Sequence, residues 1–87
     1  MTKLYVGNLP FSTTSELLRH IFEHVGIVRS AKIVTDFQTG RSKGFGFVEM
    51  ATAKEAEEAI ARFNGDVYDN RVVTVSPARP QMELRTA

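Results

Sequence analysis

Along Leu4-Tyr5-Val6-Gly7-Asn8-Leu9 the apolar positions recur at every second residue and stop at Pro10, which predicts a strand. The period then lengthens. Leu18, Ile21, Phe22 and Val25 stand at i, i+3, i+4 and i+7, so all four share one face of a helix. Thr13-x-x-Glu16 precedes this stripe in capping-box spacing, and Gly26 follows it as a terminator. Residues 28–34 predict a second strand, and 35–43, with Asp36, Thr39, Gly40 and Ser42, a loop. Residues 44–50 predict a third strand. Thr52-x-x-Glu55 then opens a second helix whose stripe is Ala56, Ala59, Ile60 and Phe63, closed by Asn64-Gly65. A hairpin around Asp69-Asn70 leads into a last strand, 72–75, which ends near Pro77.

The order β-α-β-β-α-β is a split βαβ arrangement, and the expected class is α+β with a ferredoxin-like sandwich. Two helices with one apolar stripe each cover only one face of a four-stranded antiparallel sheet. The other face is left to solvent or to a partner. Residues 1–79 are expected to form one domain and 80–87 a short tail without a clear period, although Met82 and Leu84 could dock.

Strand parity decides which residues meet that open face. One side of the third strand carries Lys43, Phe45, Phe47 and Glu49; the other carries Gly44, Gly46, Val48 and Met50. Burying Lys43 and Glu49 without partners would cost on the order of several kcal/mol, so the phenylalanine side faces outward. The glycines then lie on the buried side, where they would let a helix approach closely. On the first strand Leu4 and Val6 go to the core, leaving Lys3 and Tyr5 open. Tyr5, Phe45 and Phe47 are therefore expected to be exposed together. A contiguous apolar patch of this kind marks a binding site. Flat rings on a rigid sheet suit stacking on nucleic-acid bases, with Lys43 for a phosphate and Glu49 as an acceptor for exocyclic amines. Lys3 and Lys32 share that face by parity, and Arg41 and Arg79 stand where they could close over its edges.

Composition narrows the classes. The chain has 87 residues, 43% hydrophobic and 24% charged, the balance of one folded domain too small for a deep multi-step active site. It has no cysteine, which excludes disulfides and thiolate metal sites. No apolar run approaches the roughly 18 residues of a membrane span. With no cysteine and no targeting pattern, the expected compartment is reducing and cytoplasmic. Eleven Lys/Arg against ten Asp/Glu leave a net charge of +1. The helices hold Arg19, Lys54 and Arg62 against Glu16, Glu23, Glu55, Glu57 and Glu58, so the remainder of the chain is mildly basic.

At these residues the sequence resembles the RNA-recognition motif family over about residues 2–79. Lys43-Gly44-Phe45-Gly46-Phe47-Val48-Glu49-Met50 is similar to the family's octamer, and Leu4-Tyr5-Val6-Gly7-Asn8-Leu9 to its hexamer. The resemblance implies a sheet whose aromatics stack two or three bases of single-stranded RNA. Tyr5 and Phe47 would each stack a base, Phe45 would lie against the sugars between them, and Lys43 would pair with a phosphate. Contacts from the end of the last strand would fall on Ser76, Ala78 and Arg79. Met50 stands where the octamer usually ends in an aromatic, and its parity puts it in the core. The chain is similar to small single-domain bacterial and organellar members, without the glycine-rich tail many of them carry. A monomer is expected, with single-stranded RNA as partner, single-stranded DNA binding less well, and no cofactor.

Other readings compete. The same sheet face could recognise protein, as in relatives that use an Arg-x-Phe loop; here that stretch is Arg71-Val72-Val73, without the aromatic. His20-Ile21-Phe22-Glu23-His24 matches the H-x-x-E-H zinc-protease pattern. Ile21 and Phe22 belong to the core stripe, however, which turns both histidines outward as surface residues. Gly40-Arg41-Ser42-Lys43-Gly44-Phe45-Gly46 lacks the ending of a phosphate-cradling loop and precedes a strand instead of a helix, so it reads as a hinge loop. No enzymatic activity is expected. Phe37 in that loop either clasps a base or folds back onto the sheet edge or tail, and Phe11 is expected to pack at the start of the first helix.

Overall fold

In the computed structural model, which describes residues 1–78, the elements run β1 (Lys3–Gly7), α1 (Ser15–Phe22), β2 (Val28–Thr35), β3 (Ser42–Met50) and α2 (Ala53–Phe63). They end with β4 (Val67–Tyr68), β5 (Arg71–Val72) and β6 (Thr74–Pro77). β2, β3, β1 and β6 form one four-stranded antiparallel sheet in that order, and β4 and β5 form a separate two-stranded hairpin. This is the expected ferredoxin-like α+β architecture. The two strands that carry the aromatic residues, β1 and β3, are the central pair. Their register sets Tyr5 opposite Phe47 and Lys3 opposite Glu49.

One face of the sheet is sealed by the helices. Leu4, Val6, Val48 and Met50 point inward and join Leu18, Phe22, Ala56, Ala59 and Phe63 in a single buried cluster. Phe22 and Phe63, one from each helix, meet with ring centroids 4.8 Å apart. Polar clamps fix the layers. Ser15 Oγ accepts from the Ile33 N–H at 2.9 Å, Arg19 Nη1 donates to the Val28 carbonyl at 3.0 Å, and Asn64 Oδ1 accepts from the Val75 N–H at 3.0 Å. Each satisfies a backbone group that the sheet ladder leaves unpaired.

Several boundaries differ from expectation for identifiable reasons. The cap of α1 is Thr14, whose side chain accepts from the Leu17 N–H, while Thr13 is buried. α1 ends at Phe22 with Glu23 as its cap, short of Gly26; Val25 still packs on the core from the turn that follows. For α2 the expected cap holds, since Thr52 Oγ1 accepts from the Glu55 N–H at 3.1 Å. The last sheet strand starts at Thr74, two residues late. Gly65 and Asp66 exchange backbone hydrogen bonds with Val73, which holds the preceding hairpin off the sheet. Asp69 and Asn70 both take positive φ, at 49° and 65°, as the two-residue turn of that hairpin requires. The buried glycines do not serve a helix. A Cβ on Gly46 would come within 3.1 Å of Ile33 Cα on the neighbouring strand, and one on Gly44 within 3.1 Å of the Phe11 ring. Arg79 and the tail 80–87, with Met82 and Leu84, lie outside the described residues.

Candidate nucleic-acid interface

The open face is built on alternate residues of the two central strands. Tyr5, Phe45 and Phe47 form a triangle of rings: Tyr5–Phe45 centroids are 5.7 Å apart and tilted by 36°, Tyr5–Phe47 6.0 Å and edge-on, Phe45–Phe47 6.3 Å and nearly perpendicular. Such contacts lock the rings against one another before any ligand arrives. Tyr5 leans along its own strand over Gly7, where a Cβ would lie 2.6 Å from its Cε2. Gly7 thus leaves the space the Tyr5 ring occupies.

The rings are not equally exposed, which corrects the expectation that all three stand open. Tyr5 and Phe45 are half-buried, but Phe47 is only 8% exposed. Its central position explains this: the other two rings flank it and the Lys3 ammonium lies 5.8 Å from its centroid, in cation–π range. Parity fixed the side of the sheet correctly. It carried no information on how closely neighbours would cover the ring.

The other residues expected at this face fall on β2, β3, β6 and the loop between β2 and β3. Lys32, on β2, is exposed and stands opposite Phe47 in register. Lys43 is exposed at the start of β3, and Glu49, half-buried near its end, accepts from Thr2 Oγ1 at 3.2 Å. Ser76 pairs with Tyr5 in register on the far edge, and the Ala78 N–H donates to the Lys3 carbonyl at 2.9 Å. Arg41 is exposed in the β2–β3 loop, away from the centre of the triangle.

The first part of that loop is a hydrogen-bonded turn. Asp36 Oδ1 accepts from the backbone of Gln38 at 2.8 Å and Thr39 at 3.1 Å, and the Asp36 backbone bonds to both Gly40 and Arg41. The N–H donors of Thr39 and Gln38 hold the Asp36 carboxyl below its ordinary pKa, with the Lys43 charge adding to the effect. Phe37 projects from this turn 94% exposed, so it does not fold back onto the described residues. Phe11 also departs from expectation: it is 66% exposed and packs at the end of β1 against Gly44, not into the start of α1. The signal was present in the sequence, since Phe11 lies outside the apolar stripe of the helix it precedes.

His20 on α1 and His24 in the turn that follows it are both exposed, as expected, and the His24 ring nitrogen Nδ1 lies 3.1 Å from the His20 carbonyl oxygen. Among the described residues no group of three or more His, Asp or Glu side chains is placed to hold a metal. None of the described helices is long and apolar enough to cross a membrane.

The family model for the RNA recognition motif matches residues 4–74. The chain is 47% identical over 79 residues to the chloroplastic 28 kDa ribonucleoprotein of Spinacia oleracea, covering 91% of this chain and 34% of that one. It is 45% identical over 78 residues to the chloroplastic 29 kDa ribonucleoprotein A of Nicotiana sylvestris, covering 90% and 29%. The chain thus spans about a third of the length of these curated relatives. Among solved structures, the Rna15 RRM with bound RNA (GU) superposes with a TM-score of 0.83 at 28% identity, covering 95% of this chain and 93% of that one. The chloroplastic names of the relatives overturn the cytoplasmic expectation and point to the chloroplast. Absence of cysteine and of a targeting pattern was too weak a basis for choosing a compartment.

Proposed function

The chain belongs to the RNA recognition motif family, and on that premise we propose that it binds short single-stranded RNA on the open face of its sheet. It is a binding domain and not an enzyme. The observation that carries the reading is the ring triangle on the two central strands, held together by side-chain contacts, with the Lys3 ammonium over the Phe47 ring and Lys32 opposite Phe47 in register. The RNA-bound Rna15 structure, which shares the fold, supports it.

In this reading Tyr5 and Phe47 each stack a base, and Phe45 lies against the sugars between them. Lys43 takes a phosphate, Lys32 and Arg41 add cationic edges, and Glu49 accepts from an exocyclic amine. Arg79, outside the described residues, closes the far edge. The position of Lys3 adds a step: its ammonium must leave the Phe47 ring for a base to stack there, which frees it for the backbone of the same strand. Each stacked base contributes about 1–3 kcal/mol before the cost of ordering the strand, so affinity is micromolar-grade and sequence preference modest. With few cations on the face, log affinity falls with log salt at a slope of about −2 to −3. Flat rings need unstacked bases, so duplexes do not compete.

Fluorescence anisotropy on a uridine-rich oligomer, its deoxy counterpart and the matching duplex tests the reading. Single-stranded RNA should bind tightest, single-stranded DNA less well, and duplex hardly at all. Equal binding to duplex, or binding to none of the three, would overturn it.

A further inference from the structure

Beyond the triangle, a second aromatic site stands where β1 leaves the sheet. Asn8 takes a left-handed conformation with φ of 59°, and the Leu9 N–H donates to the Gly44 carbonyl at 2.8 Å, which swings Phe11 against the start of β3. Gly44 makes this contact possible: its φ is +82°, and any Cβ there would press on the ring. Phe11 is therefore seated on backbone one residue along β3 from Phe45, yet two-thirds exposed. The Arg71 guanidinium lies 5.4 Å from its ring centroid and donates through Nη2 to Asn8 Oδ1 at 3.0 Å. Asn8 in turn donates to the Val72 carbonyl at 2.7 Å, tying the hairpin to the end of β1. Phe11, Gly40, Arg41 and Ser42 line a recess of about 550 Å³. Neither Arg41 nor Arg71 is ion-paired among the described residues.

We infer that Phe11, backed by Arg71 and facing Arg41 across this recess, holds one further nucleotide of the RNA strand, beyond those on the sheet. The inference rests on the RNA-binding reading above. A ring seated on rigid backbone and left open to a recess offers the same stacking surface as the sheet aromatics. Arg41 and Arg71 supply positive charge for the phosphate that links this nucleotide to its neighbour. The hydrogen-bonded β2–β3 turn keeps the Arg41 wall in place without ligand, so occupation costs little ordering. An aromatic side chain of a protein partner would fit the ring equally well. The cationic wall that Arg41 gives the recess, and the Arg71 guanidinium over the ring, favour the nucleotide.

Isothermal titration of the chain with two uridine oligomers tests this, one of about three nucleotides to fill the sheet and one of about seven, extended at both ends. Phe11→Leu keeps the packing on Gly44 and removes the aromatic face. It should weaken the longer oligomer about tenfold and leave the shorter unchanged, while Phe11→Tyr binds both as wild type does. Arg41→Gln should weaken the longer oligomer more than the shorter. Equal affinity of wild type and Phe11→Leu for the longer oligomer, or equal losses on both, would overturn the inference and leave sheet binding standing. Wild type binding neither oligomer would overturn sheet binding and the extension together.

Discussion

The two faces of the sheet are made from the same two strands, one residue out of step, and they do opposite work. Leu4, Val6, Val48 and Met50 are at most 1% exposed and exist to be covered by helices. Tyr5, Phe45 and Phe47 are nearly as apolar, yet no helix covers them; they cover one another, with the Lys3 ammonium over Phe47. Phe47 at 8% exposed shows that burial alone does not separate the faces. What separates them is the covering material. On one side it is fixed secondary structure, and on the other it is side chains that a ligand can displace.

Substitutions on the two faces should therefore fail differently. Leu4→Ala empties a site with no exposure and should cost about 2–5 kcal/mol of folding stability in urea titrations, while the fraction that stays folded binds RNA normally. Phe47→Leu should do the reverse, lowering RNA affinity by about 1–3 kcal/mol with a smaller change in melting temperature. A full truncation at Phe47 is less informative, because its ring also supports Tyr5 and Phe45. Gly7→Ala should turn the Tyr5 ring from its seat, shifting its NMR resonances and costing about 1 kcal/mol of binding, with little change in stability.

The smallest effect belongs to the helical side. The Glu55 carboxylate accepts from the Ile27 N–H and from Thr52, and these bonds, the Ile27 one first, hold its pKa below the ordinary 4.5. A carboxyl depressed on folding stabilises fully above its unfolded value, and that contribution is lost as pH falls through the lower folded value. Glu55→Gln should therefore flatten the acid-side fall of stability in melts between neutral pH and about pH 3, and leave RNA binding unchanged.

Most of the architecture was legible because periodicity reports directly on which side of an element is buried. Lys43 and Glu49 settled the side of β3 on which the phenylalanines lie. The sequence was less informative where two candidates adjoin, as at Thr13 and Thr14, since only the folded backbone decides which hydroxyl reaches a free N–H. It was silent on long-range packing. Nothing in the order of residues says that Phe47 would be roofed by Lys3, or that Arg71 would reach back to Asn8 and Phe11 from sixty or more residues away. The relatives' chloroplastic names likewise overturned a compartment that composition had suggested.

The most direct test of the central claim is a two-dimensional NMR titration of the labelled chain with a short uridine-rich RNA. Shifts concentrated at Tyr5, Lys43, Phe45 and Phe47, with the Lys3 resonances moving as its ammonium leaves the Phe47 ring, are the predicted result. Shifts confined to the helical face around Leu17 and Ile21, or no shifts at saturating RNA, would contradict it.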